Sequence, residues 1–283
     1  MLAAAWVATR AGTAAALAIL LALPAPAAAQ PVELRVVAYN IRHGRGTDEQ
    51  VDLQRIADVL RRLDADVIAL QEVDDRTERT DGVDQVAVLA ALLGYEGRHG
   101  PHRPYQGGFY GNAVLTRLPV LEQRTRPIPA ASGSALAVHE TVVQAGPGLA
   151  VSVVSVHLAG TPQERLAQAR AVTDAFDVSS SRSVTILAGD FNGRPDDPVL
   201  AWLRTAWTIG EKRGDTGTYP APAPDREIDF VMWRTGGSVD TSAGDPAASV
   251  RLVDHVVFDE PLASDHRPIV ADFQLTPPEA PAR

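Results

Sequence analysis

The stretch Leu187-Ala188-Gly189-Asp190-Phe191-Asn192-Gly193-Arg194-Pro195 decides how the rest of the chain is read. The apolar run from Val184 to Ala188 has the character of a strand leaving a core, and Gly-Asp-x-Asn followed by a turn closes it. Side chains two apart on an extended backbone face the same way, so Asp190 and Asn192 share a face while Phe191 turns back into packing. A carboxylate and an amide side by side on a strand end can orient a water and hold an oxyanion. Asp and Asn are also ordinary turn residues after a strand, so the segment gains meaning only from its neighbours.

Other apolar runs end in the same polar way. Leu34 to Tyr39 ends at Asn40, Val67 to Leu70 at Gln71-Glu72, and Leu149 to Val156 at His157. Asp229 lies inside the apolar run from Glu227 to Trp233, and Asp265-His266 precedes the strand candidate Pro268 to Leu275. Turn chemistry accounts for Asn and Asp at such places but does not call for Glu and His. Further strands are expected over Asn112 to Thr116, Val120 to Arg124, Ala135 to Gln144 and Val250 to Phe258. Apolar residues at helical spacing predict helices over Val51 to Leu63 and from Asp84 to Leu93, the second stopped by Gly94. Thr161-Pro162-Gln163-Glu164 is a capping box opening a third helix, and Asp197-Pro198 opens a short fourth. Tyr95 to Gly108 is rich in His, Arg, Gly and Pro and is expected to be a loop. Strand–helix repeats beside a β-meander predict an α/β fold: a four-layer α/β/β/α sandwich of two mixed sheets with helices on the outer faces.

The chain has 283 residues, a net charge of −9 and no cysteine. The missing thiols exclude disulfides, thiolate metal sites and cysteine nucleophiles. An acidic chain has no general attraction to duplex DNA, so a nucleic-acid substrate would require a local basic groove. Residues 1–29 carry Arg10, an apolar run from Ala14 to Leu23 and Ala27-Ala28-Ala29 before Gln30, the order of a cleavable signal peptide. The expectation is export to the periplasm or beyond, with an uncleaved anchor as the alternative. The remaining divisions are one domain over 30–276 and a Pro-rich, disordered tail over 277–283.

Seven stretches together resemble the endonuclease/exonuclease/phosphatase superfamily, the metal-dependent hydrolases related to deoxyribonuclease I, in its small bacterial exported form. They are Val37-Ala38-Tyr39-Asn40-Ile41, Ile68-Ala69-Leu70-Gln71-Glu72-Val73, Gly111-Asn112-Ala113-Val114-Leu115, Ser155-Val156-His157-Leu158, Gly189-Asp190-Phe191-Asn192, Ile228-Asp229-Phe230-Val231 and Ser264-Asp265-His266-Arg267-Pro268. The resemblance implies the sandwich fold proposed above and a phosphoester hydrolase, in the first instance a phosphodiesterase. A hard cation with oxygen ligands suits that chemistry, so Glu72 is the leading ligand for Mg²⁺ (Mn²⁺ as alternative), with Asn40 and Asp265 helping. Asp190 orients or deprotonates the attacking water, while Asn192 and His157 hold phosphate oxygens. If the Asp265–His266 segment is extended, the two side chains point apart, which makes Asp229, from another strand, the better partner of His266; the resemblance implies the same pairing. Whether His266 is a base or a phosphate clamp stays open.

The substrate contacts expected are Arg103, Tyr110 and Asn112, on a recognition loop from His99 to Tyr110 and just beyond it. Arg42, Arg45, Arg76 and Arg79 are further candidates for extra phosphate. A phospholipid headgroup or small phosphodiester is the favoured partner of a monomeric enzyme without an obligate protein partner. An exported nuclease is the alternative, and a catalytically silent binding protein a third reading.

Overall fold

The computed structural model describes residues 30–176, 184–236 and 248–277. The expected signal at 1–29 and the tail at 278–283 lie outside the described residues. The chain opens with β1 (Val32–Asn40), α1 (Leu53–Leu63), β2 (Val67–Asp75) and α2 (Gln85–Leu93), then a run of strands, β3 (Glu96–Tyr105), β4 (Gly108–Thr116), β5 (Val120–Ala131), β6 (Ser134–Gly146) and β7 (Leu149–His157). It continues through α3 (Pro162–Ala175), β8 (Val184–Asp190), α4 (Pro198–Leu203), β9 (Thr208–Ile209), β10 (Asp229–Thr235), β11 (Ser249–Val257) and β12 (Ile269–Thr276).

Helix starts follow local chemistry. Asp52 and Asp84 accept hydrogen bonds from the amides of Arg55 and Ala87, and Thr161 and Glu164 form the expected reciprocal cap. Two sheets result, ordered β11-β12-β1-β2-β4-β3 and β5-β6-β7-β8-β10-β9. Each is built around one parallel pair, β1 with β2 and β7 with β8.

Burial explains the layers. On β1, Leu34, Val36 and Ala38 enter the core between the sheets, where they join Val151, Val153, Ile186 and Ala188. The alternate residues Val37 and Tyr39 pack outward against Ile56 and Leu60 of α1. On the other side Val154, Val156 and Leu187 pack against Ala169 and Val172 of α3 and Leu200 of α4. Three apolar cores separate four layers, the sandwich that the strand–helix pattern predicts.

One segment departs from the sequence reading. The expected loop from Tyr95 to Gly108 is mostly strand β3, paired with β4. It is the last strand of its sheet, and an edge strand tolerates Pro101 and Pro104 because one side of its backbone needs no partner.

Candidate active site

The two parallel pairs bring their carboxyl ends to the same edge. Asn40 lies in register with Gln71, and His157 with Asp190. Strand β10 runs antiparallel and begins there, with Asp229 opposite Asp190. The segment before β12 supplies Asp265 and His266, tied in by Ser264 Oγ, which donates to the carbonyl of Asn40 at 2.7 Å.

Glu72 reaches the edge through a β-bulge. On β2, Leu70 pairs with Ala113 and Val73 with Gly111, so Gln71 and Glu72 together face one position of β4. Glu72 takes a left-handed φ of 57°, an unfavourable conformation for a side-chain-bearing residue. Asn192 does the same at 49°. That turn carries its amide back toward Asp190, while Phe191 is buried in the α3/α4 core as expected.

The centre of the site is one oxygen, Asp190 Oδ2. Asn40 Nδ2 donates to it at 3.1 Å, and Asn192 Nδ2 at 3.4 Å. His157 Nε2 stands 3.6 Å away and His266 Nε2 3.7 Å away. The other oxygen, Oδ1, accepts the backbone amide of Asn192 at 2.8 Å. Behind His266, its Nδ1 meets Asp229 Oδ2 at 2.9 Å. That is the expected pairing, but Asp265 and His266 lie in a bend ahead of β12, so alternation along a strand does not account for it.

Burial sets the charges. Burial and the Asp229 carboxylate raise the Asp190 carboxyl to about 6. Burial alone would pull the His266 ring down, but Asp229 and Asp190 outweigh it and push it up to about 10. Burial also opposes ionisation of Glu72, yet His157, the hydrogen bond from Asn40 and His266 together hold it below the ordinary carboxylate value.

Two groups of side chains can be weighed as a metal centre. Asp190, Asp229 and His266 present ligand atoms within 4.8 Å of one another. Two of those atoms, Asp229 Oδ2 and His266 Nδ1, are taken by their mutual hydrogen bond, while His266 Nε2 faces Asp190 Oδ2 at 3.7 Å. Glu72, Asp265 and the Asn40 amide oxygen offer oxygen donors, the kind a hard cation takes, and the Asn40 oxygen also accepts the Arg42 amide at 3.1 Å. Asn40 Nδ2 holds Glu72 Oε1 at 3.1 Å. Burial raises the Asp265 carboxyl, and the nearby Glu72 charge adds to that rise against His266 and Arg42. Two carboxylates that repel each other this way are stabilised together by a divalent ion.

The edge formed by β3 and β4 carries Tyr110 and Arg103 directly opposite each other in register. The Arg103 guanidinium lies over the rings of Tyr110 at 4.7 Å and Tyr105 at 5.7 Å. The side chain of Asn112 is fully buried and its amide donates to the carbonyl of Ser155 at 3.0 Å. It ties the two sheets together below the cleft and is as enclosed as Asn40. Sequence reasoning also passed over Tyr219, whose ring lies 4.9 Å from that of His266. The one available signal was an aromatic residue in an otherwise polar, Gly/Pro-rich loop.

A sequence pattern described as the Endonuclease/Exonuclease/phosphatase family matches residues 37–266. "Uncharacterized protein YbhP" of Escherichia coli K12 is 25% identical over 265 residues, which span 88% of this chain and 100% of that protein. Among solved structures, the endonuclease/exonuclease/phosphatase from Beutenbergia cavernae DSM 12333 superposes with a TM-score of 0.64 at 24% identity, covering 87% of this chain and 72% of its own. D. rerio TDP2, solved with a single-strand DNA product, gives 0.63 at 18% identity over 85% and 98%. Likenesses at such identities establish the fold.

Proposed function

The chain belongs to the endonuclease/exonuclease/phosphatase family of phosphoester hydrolases, and from that membership we propose that it is a Mg²⁺-dependent phosphodiesterase working by direct attack of water. The observation that carries this reading is the convergence on Asp190 Oδ2 of nitrogens from Asn40, His157, Asn192 and His266. Four polar groups aimed at one point describe a place where a small anionic group is handled.

Mg²⁺, held by Glu72, Asp265 and the Asn40 amide oxygen, would polarise a phosphate oxygen and offset charge on the leaving oxygen. Asp190 takes a proton from the attacking water as the new P–O bond forms and the bond to the leaving oxygen breaks; that oxygen departs with its electron pair and gains a proton from solvent. A base raised to about 6 is well placed to do this near neutral pH. His266 is already protonated there, so it serves as a clamp, donating through Nε2 to a phosphate oxygen while Asp229 holds Nδ1. Asn192 and His157, which meet each other at 3.2 Å, would turn N–H groups to the remaining oxygens when a phosphate enters.

Glu72→Ala and His266→Ala variants, assayed on bis(4-nitrophenyl) phosphate with Mg²⁺, test the assignment. Undiminished turnover in both would refute it. A nuclease reading draws support from one feature, the Tyr105–Tyr110 pair flanked by guanidiniums, since such rings suit base stacking. Digestion of single-stranded DNA at low salt tests that reading. The amino-terminal stretch supports export with cleavage before Gln30, which the mass of the secreted protein checks.

A further inference from the structure

The arginines around the cleft are not equivalent. Arg42 is paired with Glu49 at 3.0 Å and lies 3.6 Å from Asp265. Arg45 is also paired with Glu49. Arg76 bridges Asp75 and Asp84, both at 2.7 Å. Arg79 makes a two-point contact with the fully buried Asp74 at 2.6 and 2.7 Å. Each of these guanidiniums has an acidic partner within the protein, with Glu49 shared between Arg42 and Arg45.

Arg103, on β3, differs from these four. Among the described residues it has no acidic partner, and its contacts are the faces of Tyr110 and Tyr105. Those rings are themselves backed by Arg79, at 4.7 Å from Tyr105 and 5.6 Å from Tyr110. A bulge puts Arg103 there: Pro101 pairs with Gly111 and Arg103 with Tyr110, leaving His102 as the extra residue. His102 turns inward and is buried between Tyr110 and His157, with ring centroids at 5.7 and 6.5 Å. Burial raises the Tyr110 hydroxyl well above its ordinary value, and the charges of Glu72 and Asp190 add to the rise against Arg103 and Arg79. Tyr110, His102 and His157 thus form a row of rings running from an unanswered cation to Asp190, which His157 Nε2 approaches to 3.6 Å.

We propose that the substrate carries a second phosphate beside the scissile one, and that Arg103 binds it. The inference rests on the hydrolase reading above and narrows its substrate class. A guanidinium stacked by its flat face keeps its N–H edge free, and that edge matches two oxygens of a phosphate. An unpaired, half-buried guanidinium gains most from a ligand with a full second charge, which a plain diester does not offer.

Equilibrium binding in Mg²⁺ tests this without turnover. Thymidine 3′,5′-bisphosphate is compared with thymidine 5′-phosphate, and inositol 1,4-bisphosphate with inositol 1-phosphate, so that nucleotide and headgroup sources are separated. The wild-type protein is expected to prefer the bisphosphate in at least one pair by about tenfold. Arg103→Ala should bring that ratio to about one, and Arg103→Lys should recover only part of it. Arg103→Gln is the second variant should the alanine form fold poorly. Equal binding of both members of each pair by the wild type would overturn the proposal, and so would a preference that survives in Arg103→Ala and Arg103→Gln. Turnover of simple diesters without the preference faults this inference alone. The preference without any turnover faults the hydrolase reading instead.

Discussion

Acid should unfold this protein unusually early, because four of its histidines are enclosed as neutral rings. His255, His139, His102 and His43 are 1%, 3%, 8% and 8% exposed. Burial, aided by Lys212, lowers His255 to about 3; burial, aided by His99 and Arg98, lowers His139 to about 4; burial, aided by His157, lowers His102 to about 3; burial, aided by Arg79, lowers His43 to about 4. In the unfolded chain each titrates near 6.5. A lowered folded value means that the unfolded state binds the proton first, so the stabilisation is fully present above pH 6.5 and drains away below it. Each group costs about 1.4 kcal/mol per pH unit in that range. Between pH 7 and pH 5 this amounts to about 2 kcal/mol per ring and about 8 for the four. Asp190 and His266 work the other way, since groups raised to about 6 and about 10 favour the folded state as pH falls, and each returns about 1 kcal/mol. The net loss of about 6 kcal/mol is comparable with the whole stability of many domains. Guanidinium unfolding measured at pH 7, 6 and 5 reads it directly. His255→Gln, which keeps a donor for the Gly210 carbonyl that Nδ1 meets at 3.1 Å, should reduce the slope by about 1.4 kcal/mol per pH unit. A wild-type stability that is flat over this range, or a slope unchanged in the variant, would refute the reasoning.

Three other outcomes are expected. Asp229→Asn should lower kcat for bis(4-nitrophenyl) phosphate by about a hundredfold to ten-thousandfold with little change in KM, because it releases His266 from its 2.9 Å partner without emptying the cleft; steady-state kinetics decides. Gly189→Ala should lower the melting temperature sharply, by about 3 kcal/mol or more in stability, since an added Cβ would lie 2.0 Å from the Val156 carbonyl oxygen; a calorimetric scan measures it. Chelation should abolish phosphodiester turnover and Mg²⁺ should restore it, and Glu72→Gln should shift the restoring Mg²⁺ concentration upward by about tenfold or more, followed by metal titration of activity.

Much of the architecture was legible because the core strands alternate or run apolar and the helices announce their caps. β1, β7 and β8 end where their apolar runs end, at Asn40, His157 and Asp190. What stayed hidden depends on partners distant in sequence. β3 reads as a loop because His, Arg, Gly and Pro are poor strand formers, and only its place at the sheet edge makes them tolerable. The arginines near Asn40 and Glu72 read as free cations, and only folding reveals Glu49, Asp74, Asp75 and Asp84 as their partners. Arg103 reads the same as the others in sequence. Its isolation appears only when the register sets it opposite a tyrosine.

The geometry of the cleft depends on how firmly the two sheets are fixed to each other, because Glu72 belongs to one and Asp190 to the other. Apolar packing sets a spacing but tolerates sliding, so polar struts are needed to fix the register. They lie directly beneath the site. Gln71 Nε2 donates to Ser155 Oγ at 2.9 Å, and that hydroxyl donates back across to the Leu70 carbonyl at 2.8 Å. Asn112 adds its own bond to the Ser155 carbonyl. Gly189 permits the approach, since a Cβ there would lie 2.8 Å from Gln71 Nε2. Gln71 and Glu72 share the β2 bulge, so the residue that fastens the sheets is covalently next to the residue that faces the cleft. The left-handed backbone at Glu72 costs about 1 kcal/mol or more, and it persists because Gln71 is already committed on the other side. A straight β2 would relieve that strain, and it would also turn Glu72 away from Asn40 and Asp190. The strain at Glu72 and the strut at Gln71 are thus two halves of one device, and neither has a structural use without the other.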